Sequence, residues 1–160
     1  MRAARGLLLL TLLSVSLAAC GEPVDLSQAL AVDVVSAGWF DAGIINGQNK
    51  LVPTVSFKFK NNSGQTLKTL QVNALFRRVI DKDEWGSGFV TVAGSDGLGP
   101  GATTDTITIR SQLGYTGTES RLEMFQNTQF VDAKVELFAK YGSVQWVKVG
   151  DFPIARRLLQ

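Results

Sequence analysis

The chain contains no histidine, and only one cysteine, Cys20, in 160 residues. Without an imidazole there is no Ser-His-Asp triad and no Cys-His pair. A zinc site of the usual imidazole kind is excluded as well. With one cysteine there is no internal disulfide, so stability must come from packing. What survives for catalysis is carboxylate, lysine or tyrosine chemistry. Long apolar runs are also lacking. The one apolar stretch, Gly6 to Ala19, is 14 residues, short of the roughly 20 needed to span a bilayer as a helix. No segment of useful length carries the 3.6-residue period of an amphipathic helix.

What the first 21 residues do have is an ordered layout. Arg2 and Arg5 open the chain, the apolar stretch follows, and it closes on Leu17-Ala18-Ala19-Cys20-Gly21. A charged start, a short apolar run and small residues make up a secretory signal. The ending resembles the lipobox of bacterial lipoproteins. That resemblance implies cleavage before Cys20 and a diacylglycerol thioether on its sulfur, so that the covalent lipid is the only group the chain carries. Each buried methylene contributes about 0.8 kcal/mol, so two or three acyl chains give a stable membrane anchor. Gly21, in place of an Asp, implies the outer membrane rather than retention in the inner one. The expected division is a signal peptide at 1–19, a lipidated cysteine and short tether at 20–28, and one folded domain at 29–160. A polar tether of some eight residues reaches at most about 30 Å, which keeps the domain near the membrane and its partners near the same surface.

Charge excludes further classes. Loss of residues 1–19 removes Arg2 and Arg5 and leaves 14 basic residues against 14 acidic ones. A neutral domain lacks the basic face that nucleic acid requires and the polybasic patch that docks on anionic lipid.

The rest of the chain reads as strand. Val55, Phe57 and Phe59 alternate with Ser56, Lys58 and Lys60, and Leu70, Val72, Ala74 and Phe76 share a second face. Period-two alternation predicts sheets with one solvated side. Turn compositions separate the runs: Asn46-Gly47, Asn61-Asn62-Ser63-Gly64, the acidic Asp81–Glu84, the Gly-rich Gly94–Gly101, and Gly142-Ser143. The expected fold class is all-β, an immunoglobulin-like two-sheet sandwich of seven to eight antiparallel strands, with a closed lipocalin-like barrel as the alternative. Phe57-Lys58-Phe59-Lys60-Asn61-Asn62-Ser63, Leu67, Val72-Asn73-Ala74-Leu75-Phe76 and Leu98-Gly99-Pro100-Gly101 resemble the FxLYD-type immunoglobulin-like domains of bacterial envelope proteins. Asn73 and Arg77 stand where that family has its name-giving Phe and Asp. The resemblance covers the middle third of the chain and implies a fold rather than a task.

Candidate contacts are few. Trp85, beside the acidic turn, Trp39, and Tyr115 in an irregular loop are the aromatics placed to meet a ligand or partner. In a sandwich the same rings also serve as core. Asp81, Asp83 and Glu84 are the only carboxylates crowded enough to suggest Ca²⁺, without the spacing of an EF-hand loop. Gly94–Gly101 lacks the Gly-Lys-Ser/Thr ending of a phosphate cradle. Arg156-Arg157-Leu158-Leu159 reads as a frayed terminus. The function these features imply is a membrane-anchored, non-catalytic interaction or accessory module of the cell envelope, held by its lipid and meeting an envelope protein. A small-ligand carrier with an apolar or glycan ligand between its sheets is the second expectation, and it predicts a cavity above roughly 300 Å³.

Overall fold

A computed structural model describes residues 22–81 and 83–160. Cys20 and the signal segment therefore lie outside the described residues. The described residues form nine strands and two single-turn helices: α1 (Leu26–Ala29), β1 (Leu30–Ile45), β2 (Gln48–Asn61), β3 (Leu70–Arg78), β4 (Gly86–Ala93), β5 (Ile107–Arg110), β6 (Tyr115–Gly117), α2 (Arg121–Met124), β7 (Ala133–Lys140), β8 (Val147–Ile154) and β9 (Leu158–Leu159). β1 and β2 turn through Asn46-Gly47, both at positive φ, the residue pair that a tight hairpin favours.

One sheet has the order β5-β2-β1-β9, with β6 also on β2, and the other β4-β3-β7-β8. The first hairpin lies in one sheet and the second in the other. The chain then returns to the first sheet through β5 and β6, crosses to the second for β7-β8, and ends with β9 in the first. These are the connections of an immunoglobulin-like sandwich, with β1, β2 and β5 as its A, B and E strands and β3, β7 and β8 as C, F and G. Neither sheet closes on itself, so the barrel alternative is not adopted.

The core lies where the alternation placed it. Val55, Phe57 and Phe59 of one sheet and Leu70, Val72, Ala74 and Phe76 of the other are fully buried. Each such side chain contributes about 1.5–3 kcal/mol relative to exposure. Phe57 and Phe59 pack ring to ring at 4.9 Å.

The two ends of the chain depart from expectation. The segment expected as a tether is largely part of the domain. Leu26 is completely buried, Asp25 caps α1 through Ser27 N–H, and the Val24 N–H donates to the Tyr141 hydroxyl at 2.6 Å. An apolar residue in a polar run suffices for this, because Leu26 finds the open end of the core. The C-terminal tail is not frayed either. Its last strand runs parallel to β1 beside Trp39 and Phe40, and the Trp39 N–H donates to the Arg157 carbonyl at 2.9 Å.

Gly38 makes that approach possible: a Cβ there would lie 2.9 Å from the Arg157 carbonyl oxygen and 2.9 Å from Leu159 Cδ2. The backbone oxygen cannot retreat without breaking its hydrogen bond to Trp39. Gly38→Ala is therefore expected to release the tail, lower stability by about 1–2 kcal/mol, and speed tryptic cleavage after Arg157. An unchanged cleavage rate would contradict this.

Candidate functional site

α1 and the segment before it sit at one end of the sandwich, where the Gln65 side chain donates to the Glu22 carbonyl. We call this the base. β1 and β3 both start there and run to the opposite end. That end carries the β1–β2 turn, the β3–β4 turn, the β5–β6 connection and α2. β2, with 14 residues, spans about 45 Å at roughly 3.3 Å per residue.

Under the far end lies an aromatic stack. The Trp39 ring packs 4.7 Å from Phe130, 6.0 Å from Trp85 and 6.5 Å from Phe125, and Phe130 in turn packs 4.6 Å from Tyr115. The structure thus brings together the three aromatics singled out as candidate contacts. It also corrects one of them. Trp39 is 0% exposed and presents no surface, and its indole N–H is buried without an acceptor among the described residues. Trp85 and Tyr115 are half-buried and form the rim. Tyr115 lies on β6, paired with Leu51, rather than in an irregular loop. Met124, Phe125 and Phe130 close the stack; the sequence offers Phe130 as the start of a strand to Tyr141 and Arg121–Phe125 as a short strand or a helical turn, and marks none of the three as a contact.

Arg156 locks the stack. Its Nε donates to Asp132 at 2.6 Å, its other nitrogens donate to the Phe125 and Phe130 carbonyls, and its guanidinium lies 5.2 Å from the centre of the Phe130 ring. The hydrogen bond from Arg156 holds the Asp132 carboxyl below the usual carboxylate range. α2 is tied down by a similar pair. Arg121 Nε donates to Asp41 of β1 at 2.5 Å and lowers that carboxyl's pKa, and Ser120 and Glu123 complete a capping box.

Above the stack opens a groove of about 360 Å³ lined by Gln48, Tyr115, Thr116, Thr118, Glu119, Met124, Asn127 and Gln129. The turns of the same end carry exposed aliphatic side chains. Of the nine large apolar residues that are exposed among the described ones, six belong to this end: Ile44, Ile45, Val79, Ile80, Leu113 and Leu122. Ile80 is 76% exposed and Ile44 68%. Scattered single residues of this kind are ordinary, but concentration on the turns of one end is the mark of a contact surface.

The outer face of the second sheet holds the remaining large feature. Glu136 on β7 accepts from Arg77 at 2.7 Å and from Lys148 at 2.7 Å, and Lys134 and Lys148 both reach Asp151. Hydrogen bonds from Lys148 first and Arg77 second pull the Glu136 carboxyl down to about 2. Because the folded value lies below the unfolded one, the network stabilises above the ordinary carboxylate pKa and loses that contribution as pH falls toward 2. Glu136→Gln should cost about 2 kcal/mol at pH 7, after discounting for the solvated lysines, and close to nothing at pH 2, by urea denaturation at both. Beside this network Phe89 and Trp146 meet edge to face at 6.1 Å, with the Lys140 ammonium 5.2 Å from the Trp146 ring centre.

Asp81 is paired with Arg78, and among the described residues no three acidic side chains converge to hold a metal. The Gly94–Gly101 loop borders an open groove of about 410 Å³ at the seam of β4 and β5, lined by Asp96 and Asp105 and by no basic residue. This is the wrong charge for a phosphate. No described helix is long and apolar enough to cross a membrane.

No protein-family model matches the chain, and no curated protein does. Among solved structures, the chain is similar to a crystal structure determined as Northeast Structural Genomics Consortium target SoR45. The two are 14% identical, with a TM-score of 0.46 over 82% of this chain and 89% of that one. The fold assigned above stands on the strand order alone.

Proposed function

We propose that the protein is a lipid-anchored, non-catalytic accessory module of the bacterial cell envelope, attached through Cys20 to the outer membrane and facing the periplasm. A protein partner would dock on its far end. The observation that carries this reading is the polarity of the sandwich. Its N-terminal segment is fastened at the base, while six of the nine exposed large apolar side chains among the described residues crowd the opposite end. Because Val24 is already hydrogen-bonded to Tyr141, Gly21–Pro23 alone separates a lipidated Cys20 from the domain, about 10 Å of chain. The base would then lie against the membrane and the aliphatic turns about 45 Å beyond it, the geometry of a post that presents its tip to a neighbouring envelope protein. The lipobox resemblance supports the anchor, and the absence of histidine supports a role without acid–base chemistry of the common kind.

The test is cross-linking in intact cells, followed by purification of the lipidated protein and mass spectrometry of what accompanies it. The wild type runs beside Cys20→Ala and beside the double variant Ile44→Glu/Ile80→Glu. These two isoleucines are exposed, so their replacement leaves the core intact. One or two envelope proteins in near-equal amount, at least ten-fold depleted in both variants, are the expected result. A partner retained by Ile44→Glu/Ile80→Glu would remove the far end from the proposal. A co-purifying small molecule without any protein would put the carrier in its place.

A further inference from the structure

We infer that the groove between β6 and α2 is a binding site for a neutral saccharide. Its side chains are amides (Gln48, Asn127, Gln129), hydroxyls (Tyr115, Thr116, Thr118) and one carboxylate (Glu119), with Met124 below. Two of these are already positioned. Asn127 donates to Glu119 Oε1 at 3.1 Å and accepts from the Gln129 N–H at 2.8 Å, and the Glu119 carbonyl accepts from Asn49 at 2.7 Å. The Tyr115 ring is fixed against Phe130. Among the described residues the side chains of Gln48, Gln129, Thr116 and Thr118 have no hydrogen-bond partner, and they supply both donors and acceptors.

The lining decides the ligand class by exclusion. It contains no lysine or arginine, so a phosphate or carboxylate ligand would meet only the Glu119 charge. An apolar ligand would strip water from the amides and hydroxyls without replacing its hydrogen bonds, at a cost for each. A cation would find one carboxylate, and that one is engaged by Asn127. A polyhydroxyl ring satisfies amides, hydroxyls and carboxylate together and lays its C–H face on an aromatic. The volume of about 360 Å³ is within the range of small-molecule sites and suits one or two sugar rings. The inference rests on the groove alone and not on the anchor or the protein partner.

The experiment is a titration of the ¹⁵N-labelled full chain in phosphocholine micelles, free of sugar detergents, followed by two-dimensional NMR. The probes are N-acetylglucosamine and cellobiose as neutral saccharides and glucuronate as the charged control. Saturable shifts are expected at the backbone amides of Thr116 to Glu119 and at the side-chain amides of Gln48, Asn127 and Gln129 with at least one neutral probe. Glucuronate should bind at least ten-fold more weakly, and Gln48→Ala/Gln129→Ala should weaken the neutral probe at least ten-fold with the remaining spectrum unchanged. No saturable shift from either neutral probe up to about 50 mM, where a site with a Kd of a few mM would be filled, overturns the inference. So do shifts that persist in the double variant, or glucuronate binding as tightly as the neutral probes.

Discussion

Replacing Trp39 with Ala is expected to destabilise the protein by about 3–5 kcal/mol, the range for truncating a large aromatic in a packed core. Little can collapse into the gap. Trp39 is completely buried and touches Trp85, Phe125 and Phe130 at once, and these come from the β3–β4 turn and the β6–β7 segment. The loss should therefore loosen both sheets and the rim of the far end together. A urea denaturation curve would show it as a lower midpoint. Two companions make the result specific. Trp39→Phe keeps a ring in the site and removes an indole N–H that has no acceptor, and such a group carries a desolvation cost. Its net effect should be near 1 kcal/mol. Phe40→Ala, next in sequence, should cost about 1 kcal/mol or less, because that ring lies on the outside of the sheet beneath the Arg110 guanidinium. A large loss at Phe40 with a small one at Trp39 would mean that the strand faces the other way.

That contrast also marks how far the sequence could be read. Leu30, Val32 and Val34 alternate inward as their pattern implies, and continuing the same parity along β1 would turn Phe40 into the core and Trp39 out. The register shift between Val34 and Ser36 reverses this. One extra residue on the bulged strand flips every side chain beyond it, leaving Val35 exposed and bringing Ala37 and Trp39 inside. Nothing in the local composition announces the bulge, since Val34, Val35 and Ser36 all suit a strand. β3, and β2 from Val55 onward, were legible because their alternation there runs without interruption. Thr103–Arg110 reads as one Thr/Ile strand, but only its second half forms β5, because in the first half the Thr104 hydroxyl, rather than a backbone carbonyl, accepts from the Phe59 N–H.

The site was less legible than the fold, for a related reason. Trp85 and Tyr115 could be chosen as aromatics beside turns. Their neighbours come from segments remote in the chain, and only the sandwich brings Gln48, Glu119, Asn127 and Gln129 around one groove. The sequence carries one local signal for that region: Ser120 followed three residues later by Glu123 is a capping box, which favours the helical turn over the short strand for Arg121 to Phe125. Arg156 had no signal. A basic pair near a chain end reads as solvated until Asp132 and two carbonyls are found around it.

Asn61 is the residue whose weight composition hid most completely, and its replacement is the second change of large expected effect. It reads as a turn residue, yet it is completely buried. Its amide nitrogen donates to the carbonyls of Gln65 and Leu98 at 2.8 Å and Gly99 at 3.1 Å, and its amide oxygen accepts from the N–H and the hydroxyl of Ser63. Its own backbone pairs with Gly101 and Ala102. One side chain thus joins the end of β2 to the Gly94–Gly101 loop at the base of the sandwich. Asn61→Ala should cost about 2–4 kcal/mol, because the carbonyls it served lose a donor where water replaces it poorly. Asn61→Asp separates hydrogen bonding from shape. The carboxylate keeps the Ser63 contacts but turns an acceptor toward the Leu98 and Gly99 carbonyls, and should cost more than Ala at pH 7. Burial among carbonyls raises the folded pKa of that carboxyl above its unfolded value. The folded state then binds the proton more tightly, so this variant should gain stability as pH falls and lose it as pH rises, opposite in sign to the Glu136 network. Urea midpoints of wild type, Asn61→Ala and Asn61→Asp at pH 4 and pH 7 would measure it. Equal midpoints for Asn61→Asp and wild type at pH 7 would show that the amide nitrogen does not hold the loop.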